Sequence, residues 1–223
     1  MIPTASTSPA RALALLALLC LALPITAEAQ TGTIQGLVSF EQAPPPRRTA
    51  NRYPGGASAS HEIQPVPAVV YLLGAVPGGD NAATRPVMAQ RDTAFAPAVV
   101  TVRAGGTVSF PNGDPFFHNV FSYSSAQRFD LGRYPQGESK EVTFPEAGIV
   151  EVFCEVHEFM RGAILVAANS FHAVVGSDGS FRISGVPEGT HTLAIWHPDF
   201  EAIEHRVVVT SGGIARVEVE LQR

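Results

Sequence analysis

The sequence predicts an all-β protein built of Greek-key sandwiches, and three observations carry that expectation. Twenty glycines and eighteen prolines punctuate the chain at short intervals. Between them lie short apolar runs, several with strict alternation of apolar and polar residues, the pattern of half-buried strands. Few stretches hold a helical period long enough to compete. With 223 residues, 45% of them hydrophobic, the chain has room for one large or two small domains.

The first segment is not part of the fold. Arg11 gives a weak positive start, and Ala12 to Leu23 is almost pure Ala and Leu, too short to span a bilayer. Ala27 and Ala29 supply the small residues of a cleavage site, so residues 1–29 read as a secretory signal cut after Ala29. Cys20 follows Leu19 rather than a small residue, which argues against lipid attachment. The mature protein is therefore expected in the periplasm, free of the membrane once the signal is cleaved.

Strands follow in order. Thr33 to Phe40 is the first, and Ala43 to Pro67 is a long Pro/Gly/Ser-rich loop without periodicity. Ala68 to Leu73 is the second strand, closed by Pro77-Gly78-Gly79. Beyond Pro86 the signals become dense, with strands at Ala98–Arg103, Thr107–Phe110, His118–Tyr123, Lys140–Phe144, Ile149–Cys154 and Ala163–Ala167. Turn residues separate each pair, a spacing that suggests a Greek-key sandwich. From Phe171 the pattern restarts, with strands at Phe171–Val175, Ser180–Ile183, Thr192–Trp196, Glu204–Thr210 and Ala215–Leu221. Gly179 and Gly189 are expected to supply positive φ in this second set.

Charge and motifs exclude several functions. A formal charge of −5 with a single lysine, Lys140, gives nucleic acid nothing to bind. The chain lacks a Gly-x-Ser-x-Gly elbow, a phosphate-cradling glycine loop and a carboxylate pair in a pocket context, so no enzyme is expected. The histidines of the last third, His172, His191, His197 and His205, stand without Cys or paired carboxylates at ligand spacing and read as structural or surface residues.

Cys154 is the residue to explain. Signal cleavage removes Cys20 and leaves Cys154 with no disulfide partner, and a lone thiol in an oxidising compartment needs burial, reactivity or a metal. Within seven residues, Cys154, His157 and Met160 present a thiolate, an imidazole and a thioether. Thiolate and thioether favour Cu(I), imidazole suits Cu(II), and a His2Cys plane with a long axial Met is the ligand set of a blue-copper site. The missing imidazole must come from another strand, and His118, placed after the turn Pro111 to Pro115, fits.

The segments GGTVSFPNGDPFFHNV and VFCEVHEFMRGAILV together resemble the plastocyanin and amicyanin family of blue-copper proteins, the cupredoxins. The short Cys-x-x-His-x-x-Met spacing, followed by Arg-Gly, looks most like amicyanin. The resemblance covers about residues 86–168 and implies one type 1 copper ion held by His118, Cys154, His157 and Met160. It also gives Asn119 a part in tying the two ligand segments together. It implies one-electron transfer by Cu(I)/Cu(II) cycling, with a cytochrome or dehydrogenase docking near His157. A copper chaperone or resistance protein that passes the metal on is the alternative, and a structural or carbohydrate-contacting sandwich with incidental copper is a third reading. Phe116, Phe117 and Phe159 flank the ligands, either as a docking patch or as packing at the sandwich pole.

The stretch GSDGSFRISGVPEGTHTLAI resembles the carboxypeptidase regulatory-like, or transthyretin-like, sandwich. Its opening strands match Gly36-Leu37-Val38 and Val69-Val70-Tyr71-Leu72, on the far side of the copper segment. The expected organisation is therefore a cupredoxin domain at 84–168 inserted into a small sandwich formed by 30–81 and 169–223.

Overall fold

The computed structural model describes residues 30–41, 65–79 and 85–223. The signal segment 1–29 and most of the 43–67 loop lie outside the described residues. Sixteen strands and no helix occur among the described residues, and no described helix is long and apolar enough to cross a membrane.

One sandwich draws on both ends of the chain. β1 (Thr31–Phe40) lies between β13 (Ser180–Pro187), antiparallel, and β16 (Ile214–Leu221), parallel. The facing sheet runs β12 (His172–Val174), β2 (Val69–Leu72), β14 (Gly189–His197), β15 (Phe200–Val209). Ile34, Val70, Leu72, Phe181, Leu193, Ile195 and Val217 fill the space between the two sheets. Gly179 closes the β12–β13 turn at φ 81°, a conformation that a Cβ disfavours.

The other sandwich holds the middle of the chain. Its larger sheet runs β5 (Val99–Arg103), β11 (Arg161–Ala167), β10 (Gly148–Phe153), β7 (Phe121–Ser122), β8 (Phe129–Asp130). Opposite lie β6 (Gly106–Pro111) paired with β9 (Ser139–Phe144), and the hairpin of β3 (Ala89–Arg91) and β4 (Ala94–Ala96). Isolated bridges Val87–Ser109 and Gln90–Asn112 tie this hairpin to the β6 edge. Val108, Phe110, Val120, Phe144, Val150, Val152, Ile164 and Val166 form its core.

Two expectations about strands are corrected. His118 to Tyr123 is not one strand: His118 makes only a single bridge to Tyr134, and the ladder starts at Phe121. Between them Asn119 spends its side chain on the Glu155 amide at 2.7 Å, and the Val120 carbonyl accepts from the Leu131 amide at 3.0 Å. The β3–β4 hairpin, absent from the sequence reading, turns on Asp92 and Thr93 at φ 55° and 57°; neither residue is the glycine that usually marks such a turn.

β11 joins the two sandwiches. Ile164 and Val166 point into the middle sandwich, whereas Ala163 packs with Val66, Val69 and Val99 in a separate apolar seam flanked by Tyr71, Ile149 and Trp196. Polar contacts cross the same boundary. The His172 ring nitrogen Nε2 lies 2.9 Å from Thr101 Oγ1, Arg103 donates to Ser170 Oγ at 2.6 Å, and Arg161 makes two bonds to Asp199.

Burial lowers the pKa of His172, helped by the nearby Arg103 charge. It also lowers that of His197, reinforced by Arg161 and opposed by Asp199. The folded protein thus disfavours protonation of both rings, so stability present above the unfolded histidine pKa is lost as pH falls through it. His118 shifts the other way and offsets part of the loss. Between about pH 7.5 and 5, the Tm of the metal-free protein is expected to fall less in His172→Gln than in the parent; equal slopes in a thermal melt series would contradict this.

Candidate metal centre

The site forms where three chain segments meet at one pole of the middle sandwich. β10 ends at Phe153, which places Cys154 immediately beyond the ladder with its side chain on the inner face, in line with Val150 and Val152. A tight turn follows, in which the Met160 amide donates to the His157 carbonyl at 2.9 Å and the Cys154 amide to the Met160 carbonyl at 3.3 Å. β11 begins at Arg161, opposite Phe153. His118 arrives from the third segment, held by reciprocal backbone bonds to Tyr134 of 3.2 and 2.8 Å.

His118 Nδ1, Cys154 Sγ and His157 Nδ1 form a triangle with edges of 3.6, 4.0 and 3.1 Å. This is the one group of three metal-capable His, Cys, Asp or Glu side chains among the described residues. Donors held trigonally at first-row nitrogen and sulfur distances stand roughly 3.5–3.8 Å apart, and the observed edges bracket that range. His118 is fully buried, Cys154 and Met160 nearly so, and His157 is partly exposed. The donors and their spacing fit a single soft-to-borderline ion such as copper.

Hydrogen bonds orient each donor. The His118 ring nitrogen Nε2 lies 2.9 Å from Asp114 Oδ2, so the proton sits on Nε2 and Nδ1 is left bare for a metal. Asp114 also accepts from the amides of Asp92 and Thr93 at 2.7 and 2.8 Å, which locks the positive-φ turn of β3–β4. Burial alone would raise the Asp114 pKa, but the Thr93 amide, His118 and the Asp92 amide together hold it below the ordinary carboxylate value. Burial likewise pushes the Cys154 thiol up, yet His118 and the amides of Asn119, His157 and Val156 outweigh it and bring the thiol down. The surroundings of the sulfur thus favour its ionised form relative to a free thiol.

Asn119 links the ligand segments as expected: its Oδ1 accepts from the Glu155 amide at 2.7 Å, one residue past Cys154. The three phenylalanines divide. Phe116 and Phe117 are 53% and 57% exposed, whereas Phe159 packs partly against the core and 5.7 Å from the His157 ring. His197 is structural, packed against Phe40 and Phe200 and accepting from the Asp199 amide at 3.1 Å. Sequence reasoning missed Asp114, read as a turn residue, and Tyr134, whose hydroxyl donates to the Phe110 carbonyl at 2.9 Å and accepts from Gln90. An acid four residues before a ligand His was the available signal.

Residues 84–167 match the family model of copper binding proteins, plastocyanin/azurin family. This segment is a cupredoxin domain. Among curated proteins it is 37% identical over 70 residues to an amicyanin from Paracoccus versutus, covering 30% of this chain. The chain spans about half (53%) of that relative's length. Solved structures similar to the cupredoxin include a reduced amicyanin variant, 25% identical, with a TM-score of 0.35, covering 37% of this chain and 81% of its own. Another is a purple cupredoxin from Nitrosopumilus maritimus, 25% identical, with a TM-score of 0.32, covering 34% and 84%. Residues 156–221 match the beta-sandwich domain of ER membrane protein complex subunit 7. The second sandwich thus agrees in class with the expected one, under a different family description. Copper is the cofactor of the cupredoxin segment.

Proposed function

We propose that this protein is a periplasmic one-electron carrier whose type 1 copper would be held by His118, Cys154, His157 and Met160. The buried triangle of two imidazole nitrogens and one thiol sulfur carries the reading. Copper bound there supplies reversible Cu(I)/Cu(II) chemistry. The chain's own residues supply the rest. Asp114 keeps the His118 Nδ1 lone pair aimed inward, and the Asn119, Val156 and His157 amides stabilise a thiolate at Cys154. Met160 is buried in the same apolar cluster as Cys154.

Burial of Cys154, His118 and Met160 favours a resident metal over one handed on, and so favours electron transfer over copper delivery. The partly exposed His157 ring, with Phe116 6.4 Å away, is where a redox partner, a cytochrome or a dehydrogenase, would dock. The signal at residues 1–29 supports export and cleavage. In this reading the cupredoxin at 84–168 is carried as an insert by the sandwich of 30–81 and 169–223.

Addition of Cu(II) to the purified mature protein is expected to produce an intense visible thiolate-to-copper band and an EPR spectrum with a narrow copper hyperfine splitting. A folded protein that stays colourless would refute the assignment. The same titration on residues 84–168 alone tests the domain boundaries, since an insert that fails to fold in isolation contradicts them.

A further inference from the structure

Arg161 directly follows Met160 and opens β11. Its side chain leaves the inner face and enters the boundary between the sandwiches, where its guanidinium meets Asp199 of the second sandwich through two bonds, Nη1 to Oδ1 at 3.1 Å and Nη2 to Oδ2 at 2.5 Å. Both side chains are shielded, at 15% and 8% exposure, so this bidentate pair is desolvated and directional. Asp199 is itself fixed. Its amide donates to His197 Nδ1, and the His197 ring packs 5.1 Å from Phe40 and 5.0 Å from Phe200. A rigid line of contacts therefore runs from the aromatic cluster of the second sandwich to the residue after Met160.

The ligand loop has two ends. Asn119 holds the Cys154 end through Glu155. At the Met160 end the neighbouring Gly162 has no side chain, and a Cβ there would stand 2.8 Å from the Ala98 carbonyl. Arg161 is thus the first side chain past the loop that can anchor it, and its anchor lies outside the cupredoxin.

We propose that Asp199 is a positioning residue of the metal centre: through Arg161 it fixes the exit of the ligand loop, and with it the place of Met160 relative to the His118–Cys154–His157 plane. The proposal rests on the reading of Met160 as a copper ligand. It gives the second sandwich a role in the copper chemistry.

The full-length protein tests this with Asp199→Ala, and with Thr101→Val as a control that removes the His172 contact elsewhere on the same boundary. The readouts are the Met160 methyl resonance in the metal-free and Cu(I) protein, Cu(I) affinity by chelator competition, and the rhombicity of the Cu(II) EPR signal. Only Met1 and Met88 could be confused with Met160. Asp199→Ala is expected to shift the methyl resonance, to raise rhombicity, and to weaken Cu(I) binding on the order of tenfold, the scale of lost outer contacts at metal sites. Thr101→Val is expected to lower Tm while leaving all three unchanged. An Asp199→Ala spectrum identical to the parent, or equal changes in the control, would overturn the proposal. A parent protein without the thiolate band would instead sink the copper reading, and the metal-free methyl resonance would still decide whether Asp199 positions Met160.

Discussion

Cys154→Ser is expected to abolish the intense visible colour of the copper-loaded protein while changing the stability of the metal-free fold by only about 1–2 kcal/mol. Serine nearly matches cysteine in volume, so the buried position beside Val152 and Met160 keeps its packing. A hydroxyl, however, does not ionise at neutral pH and is a hard donor, so both the charge-transfer band and much of the Cu(I) affinity go with the sulfur. At least the 10–100-fold loss seen when outer ligand contacts are removed is expected in Cu(I) binding. Visible spectroscopy, chelator competition and thermal melts of the two proteins check the three parts. A Cys154→Ser protein that stays blue would show that the colour does not arise from a thiolate; one that fails to fold would show that Cys154 is chiefly a core residue.

Asp114→Ala is expected to weaken both the fold and the metal site. The carboxylate accepts from two part-buried turn amides and faces the buried His118 ring, and its removal leaves all three donors without this partner. Hydrogen bonds to charged groups contribute roughly 1.5–3 kcal/mol each, with turn amides partly rescued by water, so a loss of about 2–4 kcal/mol is expected in the metal-free protein. Asp92 and Thr93 keep positive φ only while something holds them there, so the β3–β4 hairpin should loosen first. His118 also loses the partner that fixes its tautomer, and copper affinity is expected to fall 10–100-fold. Asp114→Asn retains one oxygen and should lose less on both measures. Denaturant titration and hydrogen exchange of the 89–96 hairpin test the first expectation, and chelator competition the second. An Asp114→Ala protein with parental affinity would remove Asp114 from the account of the site.

The parts of this molecule that were legible in the sequence are those whose signals are local. Cys154, His157 and Met160 sit within one short loop, so a candidate donor set could be read there without a fold. Alternation in KEVTF placed β9, which has one wet and one dry face, and alternation in IVEVF placed β10, whose outer face is half-covered. Asp114 was hidden because most of its contacts lie 21 and 22 residues back along the chain, and its one local signal, a place four residues before His118, is shared by many aspartates in turns. The hairpin at 89–96 escaped for a related reason: its turn is held by that distant carboxylate rather than by glycine. β11 shows a signal that was present but unread. AILVA does not alternate, and a strand that is apolar at every position is a strand covered on both sides. Its second cover is the Val66, Val69 and Val99 seam, and the neighbouring sandwich could have been inferred from it.

The pairing of β2 with β12 and β14 also sets an order of events in folding. Tyr71 must find His172 and Ala194, partners separated from it by most of the middle of the chain. A search of that length through a disordered chain is slow and entropically costly. Once β5 and β11 have paired side by side, with Val99 against Ala163, the span between β2 and β12 is no longer a floppy tether but a compact body whose two ends emerge near each other. The outer sheets then close over a short effective gap. The cupredoxin is therefore expected to fold first and to template the sandwich built from both ends of the chain; a core substitution in it, such as Val150→Ala, should slow refolding of the β2–β14 sheet in stopped-flow experiments.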